Sequence, residues 1–479
     1  MLAHPASQQI LETYRRRTPR SERWHVAAGR VLPGGDTRTV TFFAPHPLSI
    51  DRAQGFVLTD VDGNDYFDLL GNYTSMVHGH AHPEIVRAIT AQASRGTGHA
   101  ANSPLQVRLA EELCRRVLSV ERIRFCNSGT EATLNAIRAA RAFTGRDKLL
   151  KMEGGYHGSH DLAEISVAPD LALAGPPERP VAVAEEPGIP QAVVDDVIVA
   201  PFNDPIAAEA ACERHAGEVA AILVEPMLGA SGAIPAEPGF LEALRALADA
   251  HGAMLIFYEV ITFRLHEGGY QTWASVRPDL TTFGKVIGGG LPVGAFGGRA
   301  DVMALFAPPQ PRMVQSGTFN ANPLTMAAGL AAVRALDQAA IDSIDRLAER
   351  LASGLRDAAA DGGIALQVTG VGSILTTHWT TTRVRDYRSG ATSRDDVQAL
   401  MHLALLNEGV FTAPRGLWAT NTAMTEADVD HAVAAFAAAL TAVRPFIAAN
   451  APELLLTPGG DPPPPRPQGT RAPVDASSR

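Results

Sequence analysis

Three lysines are the residues of this chain whose chemistry is hardest to replace. Lysine occurs only at positions 148, 151 and 285, and since lysine and arginine together number 41, the other 38 are arginines. Arginine stays protonated, whereas a lysine amine can lose its proton and form a Schiff base with a carbonyl. Lys148 and Lys151 lie in RDKLLKMEGG, at the polar entry to a strand, where solvated roles are expected. Lys285 lies in the apolar, glycine-rich DLTTFGKVIGGGLPVGAFGG and is the candidate for amine chemistry.

Two segments could bind an anion at the start of a helix. NSGTEA (127–132) stands between a predicted strand and an alanine-rich helix, and SGTFNANP (316–323) precedes a second helix. A helix N-terminus offers unpaired N–H groups and the positive end of the helix dipole, which together bind phosphate. Small residues also let the backbone approach the anion closely. For each segment, an ordinary capped turn is the alternative interpretation.

An aromatic loop and a histidine cluster complete the candidate residues. In GGYHG (154–158), glycines flank Tyr156, whose ring could stack on a flat cofactor or could fill a tight turn instead. His78, His80 and His82 alternate in VHGHAHPEI. No cysteine accompanies these histidines, and the sequence does not favour a metal site.

The composition excludes several classes of protein. The 479 residues are 46% hydrophobic and 19% charged, which is enough apolar content for one large core or two moderate ones. The net charge of −10 argues against a nucleic-acid surface. The N-terminus lacks the apolar core of a signal peptide, and no run of about 18 apolar residues predicts a membrane span. Three widely spaced cysteines indicate neither a disulfide frame nor a zinc site, so a cytoplasmic location is expected.

The elements that must position these residues follow an α/β pattern. Apolar strands near 123–127, 149–153, 220–226 and 254–260 alternate with helices, as in a parallel sheet covered on both faces. A hairpin is predicted within 50–70. We expect four parts: an N-terminal arm and part of a small domain (1–90), a large domain (91–322), the rest of the small domain (323–450) and a proline-rich, disordered tail (451–479).

In combination, these motifs resemble the class-III aminotransferases, which are fold-type I enzymes that use pyridoxal 5′-phosphate (PLP). The resemblance is to glutamate-1-semialdehyde aminomutase and to the β-amino-acid (β-phenylalanine-type) aminotransferases, and it runs from about residue 30 to 445. The GNYTS segment favours the β-amino-acid branch. The segments that match are LPGGDTRTV, TDVDGNDYFDLLGNYTSMVHGHAHP, FCNSGTEATLNAIRAAR, GGYHGSHD, LVEPMLG, EVITFR, PDLTTFGKVIGGGLPVGAFGG, SGTFNANP and APRGLWATNTAMTEADVD.

The resemblance implies a fold and a set of roles. It implies a large α/β domain with a mostly parallel sheet, and a smaller α+β domain built from both chain ends. Lys285 would form the Schiff base with PLP and shuttle the proton. The other implied roles are phosphate binding by Ser128, Gly129, Thr130 and the partner subunit's Thr318, ring packing by Tyr156 and Val260, a cofactor-surround contact by Glu225, and substrate-carboxylate binding by Arg38 and Arg415. A homodimer acting on a small amino acid or amino ketone follows.

The sequence departs from the family at Tyr258. The family has an aspartate there, which pairs with the protonated pyridine nitrogen of PLP, whereas a tyrosine hydroxyl is neutral and can only donate a hydrogen bond to an unprotonated nitrogen. Glu259 is not expected to substitute, because neighbouring residues of a strand point to opposite faces.

Three explanations of this departure remain open. The chain could be a weakened aminotransferase acting on an amino acid, a β-amino acid included, and a keto compound. It could be a PLP enzyme of another type, such as an aminomutase (isomerase), an elimination enzyme or a biosynthetic enzyme. It could also bind PLP without turnover.

Overall fold

A seven-stranded sheet forms the centre of the protein in the computed structural model, which describes residues 4–456. Its strand order is β4-β12-β11-β10-β7-β5-β6, and β12 runs antiparallel to both of its neighbours while the other pairs are parallel. The strands are β1 (Ile50–Gln54), β2 (Val57–Asp60), β3 (Asp65–Asp68), β4 (Arg122–Cys126), β5 (Lys148–Met152), β6 (Val197–Ala200), β7 (Val219–Val224), β8 (Met227–Leu228), β9 (Ile234–Pro235), β10 (Met254–Tyr258), β11 (Leu280–Gly284), β12 (Gly294–Gly298), β13 (Gln367–Val371), β14 (Ile374–His378), β15 (Val410–Phe411) and β16 (Leu417–Ala419).

Helices cover the sheet, and helices from the two ends of the chain pack together. The helices are α1 (Pro5–Arg17), α2 (Pro19–Ala28), α3 (Gly71–Thr74), α4 (Pro83–Ala93), α5 (Pro104–Arg116), α6 (Gly129–Thr144), α7 (Gln191–Asp195), α8 (Pro205–Arg214), α9 (Phe240–His251), α10 (Tyr270–Trp273), α11 (Ala300–Met303), α12 (Pro323–Ala335), α13 (Gln338–Asp361), α14 (Tyr387–Gly390), α15 (Asp395–Asn407) and α16 (Glu426–Asn450). The predicted α/β fold with a mostly parallel large sheet is confirmed. The N-terminal arm holds two helices, α1 and α2.

The middle strands are buried on both faces, which explains their continuous apolar sequences. All six residues of β7 are buried, as are all five of β10 and of β11. Such strands cannot alternate polar and apolar residues, because helices lie against each face of the sheet. The parallel strands β7, β10 and β11 therefore end together at one edge, and the loops that follow them carry the candidate residues.

Strand β12 needs glycine at both of its ends because neighbouring backbone lies directly against them. A Cβ atom at Gly294 would overlap the carbonyl group of Ser128, and one at Gly298 would overlap the carbonyl oxygen of Asp279. These contacts bring the start of α6 against the edge of the sheet. The glycine-rich sequence after Lys285 is thus explained by packing and not only by turns.

Both ends of the chain contribute to one hydrophobic core beside the main sheet. Ile10 and Tyr14 of α1 pack with the buried faces of α13, α15 and α16. Parallel pairing of β3 with β15 joins the predicted hairpin region, which is confirmed as β1, β2 and β3, to the C-terminal segment. Helix α16 is long and apolar enough to cross a membrane by length and composition alone. Its Phe436 and Val443 are buried in this shared core.

The predicted tail begins inside the described residues. Pro452–Leu454 forms a 3₁₀ turn, and Leu455 bridges to Ile364. Residues 457–479 of the predicted tail lie outside the residues that the structure describes.

We expect Gly329→Ala in α12 to destabilise the protein. A glycine in mid-helix normally gains stability on substitution by alanine, by about 1 kcal/mol. Here a Cβ atom would overlap the carbonyl oxygen of Ile287, in the turn that begins at Lys285. Overpacking of this kind costs about 1–3 kcal/mol, so Tm should fall in differential scanning calorimetry. Gly98→Ala is the control, because nothing lies within 4 Å of a Cβ atom there. A Tm at or above that of the unchanged protein would contradict this packing.

Candidate active site

Lys285 stands at the carboxyl end of β11, where the strand turns into a 3₁₀ turn over Lys285–Gly288. Its φ of 48° is in the left-handed region, which is uncommon for a residue with a side chain. Burial lowers the pKa of the amine from its ordinary 10.5 to about 8, against the opposing effect of the Glu225 carboxylate. Lys285 can therefore lose its proton near neutral pH, as the sequence prediction of amine chemistry requires.

Glu225 follows β7 and lies fully buried beside Lys285. Its Oε1 accepts the N–H of Tyr156 at 2.8 Å, and its Oε2 accepts the N–H of Gly229 at 3.0 Å. Burial raises the pKa of this carboxyl to about 7 in spite of those two hydrogen bonds. The carboxylate thus fixes the loop that carries Tyr156, and it is a neighbouring group that also titrates near neutral pH.

The start of α6 forms a cradle of backbone N–H groups. Ser128 is the N-cap, and its hydroxyl accepts the N–H of Glu131 at 3.1 Å. The cradle is narrow because both glycines that line it pack against their neighbours. A Cβ atom at Gly129 would lie 3.2 Å from Val260, and one at Gly158 would lie 2.6 Å from the Cα of Thr130. An oxyanion held by N–H groups suits this cradle, as predicted for 127–132.

Tyr258 and His157 lie together beneath the cradle. Tyr258 is the last residue of β10 and is buried; the Cβ position of Gly129 is 3.5 Å from its hydroxyl oxygen. Burial raises the pKa of this phenol well above 10, so the side chain is neutral. The ring of His157 packs edge to face against the ring of Tyr258, with 5.2 Å between the two ring centres. Within residues 4–456, both ring nitrogens of the buried His157 lack a hydrogen-bond partner. No pattern in the sequence predicted this imidazole without a partner.

The expectation of a solvated role is wrong for Lys151. This side chain is completely buried on β5. Its Nζ donates hydrogen bonds to the carbonyl oxygens of Ala163, at 3.0 Å, and of Ile165. Burial lowers the pKa of the amine to about 7. Polar flanks suggested an exposed strand entry, but β6 and β7 on either side enclose β5 in the sheet.

Arg38 and Arg415 come from distant parts of the sequence and meet near Lys285. Both guanidinium groups contribute to lowering the pKa of the Lys285 amine, after the larger effect of burial. Each guanidinium carbon lies 5.2 Å from the centre of the Tyr73 ring. Tyr73 was not among the predicted site residues, although GNYTS had been noted as a matching segment.

Thr318 lies on the surface of the chain, in the segment before α12. Phe319, beside it, is 64% exposed. Asn320 accepts a hydrogen bond of 2.8 Å from the side chain of Asn127, so the segment passes close to the cradle. In the single chain Thr318 therefore faces outward.

Of the three histidines noted in the sequence, His78 and His80 have separate partners, and the ring centre of His82 lies 5.4 Å from that of His78. His80 pairs with Asp68 at 2.6 Å, and His78 contacts the carbonyl oxygen of Ala332 at 2.9 Å. They do not converge on a common point, and no group of three metal-ligating side chains occurs in the described part of the chain.

Comparison with known proteins covers almost all of these elements. Residues 43–440 match the family described as Aminotransferase class-III. The chain is 42% identical over 439 residues to a β-phenylalanine transaminase from Variovorax paradoxus, covering 91% of this chain and 96% of that protein. It is 40% identical over 432 residues to a glutamate-1-semialdehyde 2,1-aminomutase from Sorangium cellulosum, covering 89% and 97%. An ω-transaminase structure from Sphaerobacter thermophilus matches with a TM-score of 0.85 and 43% identity, over 88% of this chain and 98% of that chain.

We expect PLP added to the protein, then fixed by borohydride, to label Lys285 alone. Lys151 is also easily deprotonated, but its amine is enclosed and bonded to two carbonyl groups. Peptide mass mapping distinguishes the three lysines directly. The initial rate of labelling of the apoprotein should rise with pH and level off above about 8, because only the neutral amine attacks the aldehyde. Lys148→Arg is the control and should keep the adduct. An adduct at Lys151, or a rate that climbs to pH 10, would refute this assignment.

Proposed function

The chain belongs to the class-III aminotransferase family, and we propose that it moves an amino group between a β-amino acid and a keto compound. Members of this family depend on PLP, so the chain is a PLP-dependent enzyme. The observation that carries the proposal is the Lys285 amine, which titrates near neutral pH at the strand ends beside Glu225. Similarity to a β-phenylalanine transaminase supports the β-amino-acid substrate. We also propose a soluble, cytoplasmic homodimer.

The residues present fit PLP. The cradle at Gly129, Thr130 and the Ser128 cap would hold the phosphate, because Cβ atoms at its glycines would close it. Tyr156 and Val260 would pack on the two faces of the ring, and Lys285 would be the point of covalent attachment. When bound, PLP supplies an electrophilic carbon and a ring that withdraws electrons from the substrate.

The chain itself would supply the movement of protons. A Lys285 amine with a pKa of about 8 can accept and return a proton at neutral pH, as a general acid–base group must. Glu225 would hold the Tyr156 loop in place through the N–H of Tyr156. Arg38 and Arg415 would bind the carboxylate of the substrate, for which a planar guanidinium is suited.

The tyrosine at position 258 supports an aminotransferase that transfers amino groups more slowly than one with an aspartate there. A carboxylate at this position would favour a protonated pyridine nitrogen and could also accept a hydrogen bond from His157. The neutral Tyr258 does neither, and His157 has no hydrogen-bond partner in the part of the chain that the structure describes. A less effective electron sink follows, which slows removal of a proton from the substrate carbon.

The same residue supports a second candidate function. Reactions that tolerate an unprotonated pyridine, such as an isomerisation by an aminomutase, would depend less on a carboxylate at position 258. The 40% identity to a glutamate-1-semialdehyde 2,1-aminomutase favours this alternative within the same family. An elimination or another biosynthetic step falls in the same group, and PLP binding without turnover is the remaining alternative.

Substitution of Tyr258 by aspartate separates these alternatives. In the weakened aminotransferase, Tyr258→Asp should speed conversion of bound PLP to pyridoxamine phosphate by a β-amino acid at least tenfold, or about 1.4 kcal/mol in the barrier. Stopped-flow absorbance in a single turnover measures this rate. Tyr258→Phe removes only the hydroxyl group and should bring no gain. An unchanged rate in Tyr258→Asp, together with another product from the unchanged protein, would instead favour the second candidate.

The homodimer is proposed because Thr318 faces outward and lies among exposed apolar side chains. Val314 is 69% exposed and Phe319 is 64% exposed, which is unusual for large apolar residues unless another surface covers them. We propose that Thr318 completes the phosphate cradle of the partner subunit.

Mixed dimers test the exchange of Thr318. Lys285→Ala and Thr318→Arg chains should each be inactive as homodimers. When they are co-expressed, the site that combines an intact Lys285 with the partner's intact Thr318 should work, which restores roughly a quarter of the wild-type sites. Purified mixed dimers without activity would show that Thr318 acts in its own subunit. Light scattering checks the oligomeric state of each sample.

A further inference from the structure

The backbone around Tyr73 is left-handed, a conformation that L-amino acids rarely adopt. Gly71, Asn72, Tyr73 and Thr74, the residues of α3, have φ values of 56°, 48°, 54° and 74°. Left-handed backbone is strained for each residue with a side chain and is normally adopted by single residues. Strain of this kind persists only where the surroundings fix it, and it is concentrated at functional sites.

Hydrogen bonds from several elements hold this left-handed turn. Oδ1 of Asp68 accepts the N–H groups of Leu70 and Gly71, each at 2.9 Å. At the other end, the buried guanidinium of Arg264 donates to the carbonyl oxygen of Thr74 at 2.9 Å. The turn is thus fixed at both ends, and its conformation decides where the Tyr73 side chain lies.

The ring of Tyr73 contacts both arginines of the site. The guanidinium carbons of Arg38 and Arg415 each lie 5.2 Å from its centre, so they are at most twice that distance apart. A guanidinium over an aromatic ring is attracted to the ring face, and the attraction is stronger where the pair is removed from water. Contact with the ring also restricts two long side chains that would otherwise lose more rotamer entropy when a ligand binds.

The hydroxyl of Tyr73 fixes the backbone that carries Arg38. It donates a hydrogen bond of 2.7 Å to the carbonyl oxygen of Val40. Asp36 accepts the N–H groups of Thr37 and Arg38 within the same turn. Arg38 also donates to the side chain of Asn72, at 2.9 Å, so it is bound to the left-handed turn a second time.

We propose that Tyr73 is a positioning residue that sets substrate choice by holding the Arg38 and Arg415 guanidinium groups as a pair. Substrates with a carboxylate are selected because the pair is ordered before they bind, and preorganised groups lose less entropy on binding. This proposal rests on the proposed function only in taking the two arginines as carboxylate-binding residues. Tyr73 acts through the arginines and is not itself required to contact the substrate.

The test measures binding of 3-phenylpropanoate, a carboxylate without an amino group, to the PLP-loaded protein by calorimetry. Tyr73→Leu should raise the Kd about tenfold, because it removes both the ring contacts and the hydroxyl. Tyr73→Phe keeps the ring and should weaken the Kd about threefold through loss of one hydrogen bond. Tyr14→Phe is the matched control, because Tyr14 also donates to a backbone carbonyl, that of His46 at 2.8 Å, but lies in the shared core. Its Kd should not change.

A double variant distinguishes positioning from direct contact. In an Arg38→Ala background, Tyr73→Leu should weaken the Kd by threefold or less, because one of the two groups it holds is gone. An undiminished tenfold loss would mean that Tyr73 contacts the ligand itself, which would overturn the proposal. Unchanged binding in both Tyr73 variants would overturn it too, as would no binding to the unchanged protein.

Kinetics supply a second readout that a merely structural role would not move. With 3-amino-3-phenylpropanoate, Tyr73→Phe should raise KM about threefold and leave kcat unaltered. With 1-phenylethylamine, which lacks the carboxylate, kcat/KM should stay within about twofold. An equal loss on both substrates would overturn the proposal. Since 3-phenylpropanoate cannot be turned over, its binding is measured even in a protein that transfers no amino group, which would refute the proposed function alone.

Discussion

Removal of an amine from water is the constraint on which the site depends. Lys285 is held where β11 ends, and burial weakens its hold on a proton, while burial of Glu225 acts on that carboxyl in the opposite direction. Burial thus brings the pKa of this amine and the pKa of this carboxyl toward each other. Both groups lie where parallel strands end, and the glycines of β12 admit the start of α6 against the sheet there. The chemistry is set by packing before any ligand is present.

The sequence was informative where a residue's role depends on its immediate neighbours. The apolar runs around Ile222 and Ile256 predicted buried parallel strands, and the small residues at 127–132 predicted a helix N-terminus open to an anion. Lys285 was identified because its flanks are apolar and rich in glycine. Each of these signals lies within a few residues of the position it describes, so no tertiary information was needed.

Other features depended on contacts between distant segments. Lys151 has polar neighbours in the sequence, but it is enclosed because β5 lies between β6 and β7. The left-handed turn at Tyr73 is fixed by Asp68 and Arg264, which propensity cannot reveal. Only the three-dimensional structure shows that the imidazole of His157, unpaired among residues 4–456, lies against Tyr258, the position where the sequence departs from the family pattern.

The scarcity of lysine limits the side reactions of this protein with free aldehydes. Side-chain amines elsewhere on a surface normally condense with any free aldehyde and create a heterogeneous background. Here lysine occupies three positions, of which Lys151 is enclosed and Lys148 is partly covered beside Asp195. A protein that handles a reactive carbonyl in its site thus offers few competing nucleophiles outside it. Its chemoselectivity toward carbonyl compounds is a property of the whole surface as well as of the pocket.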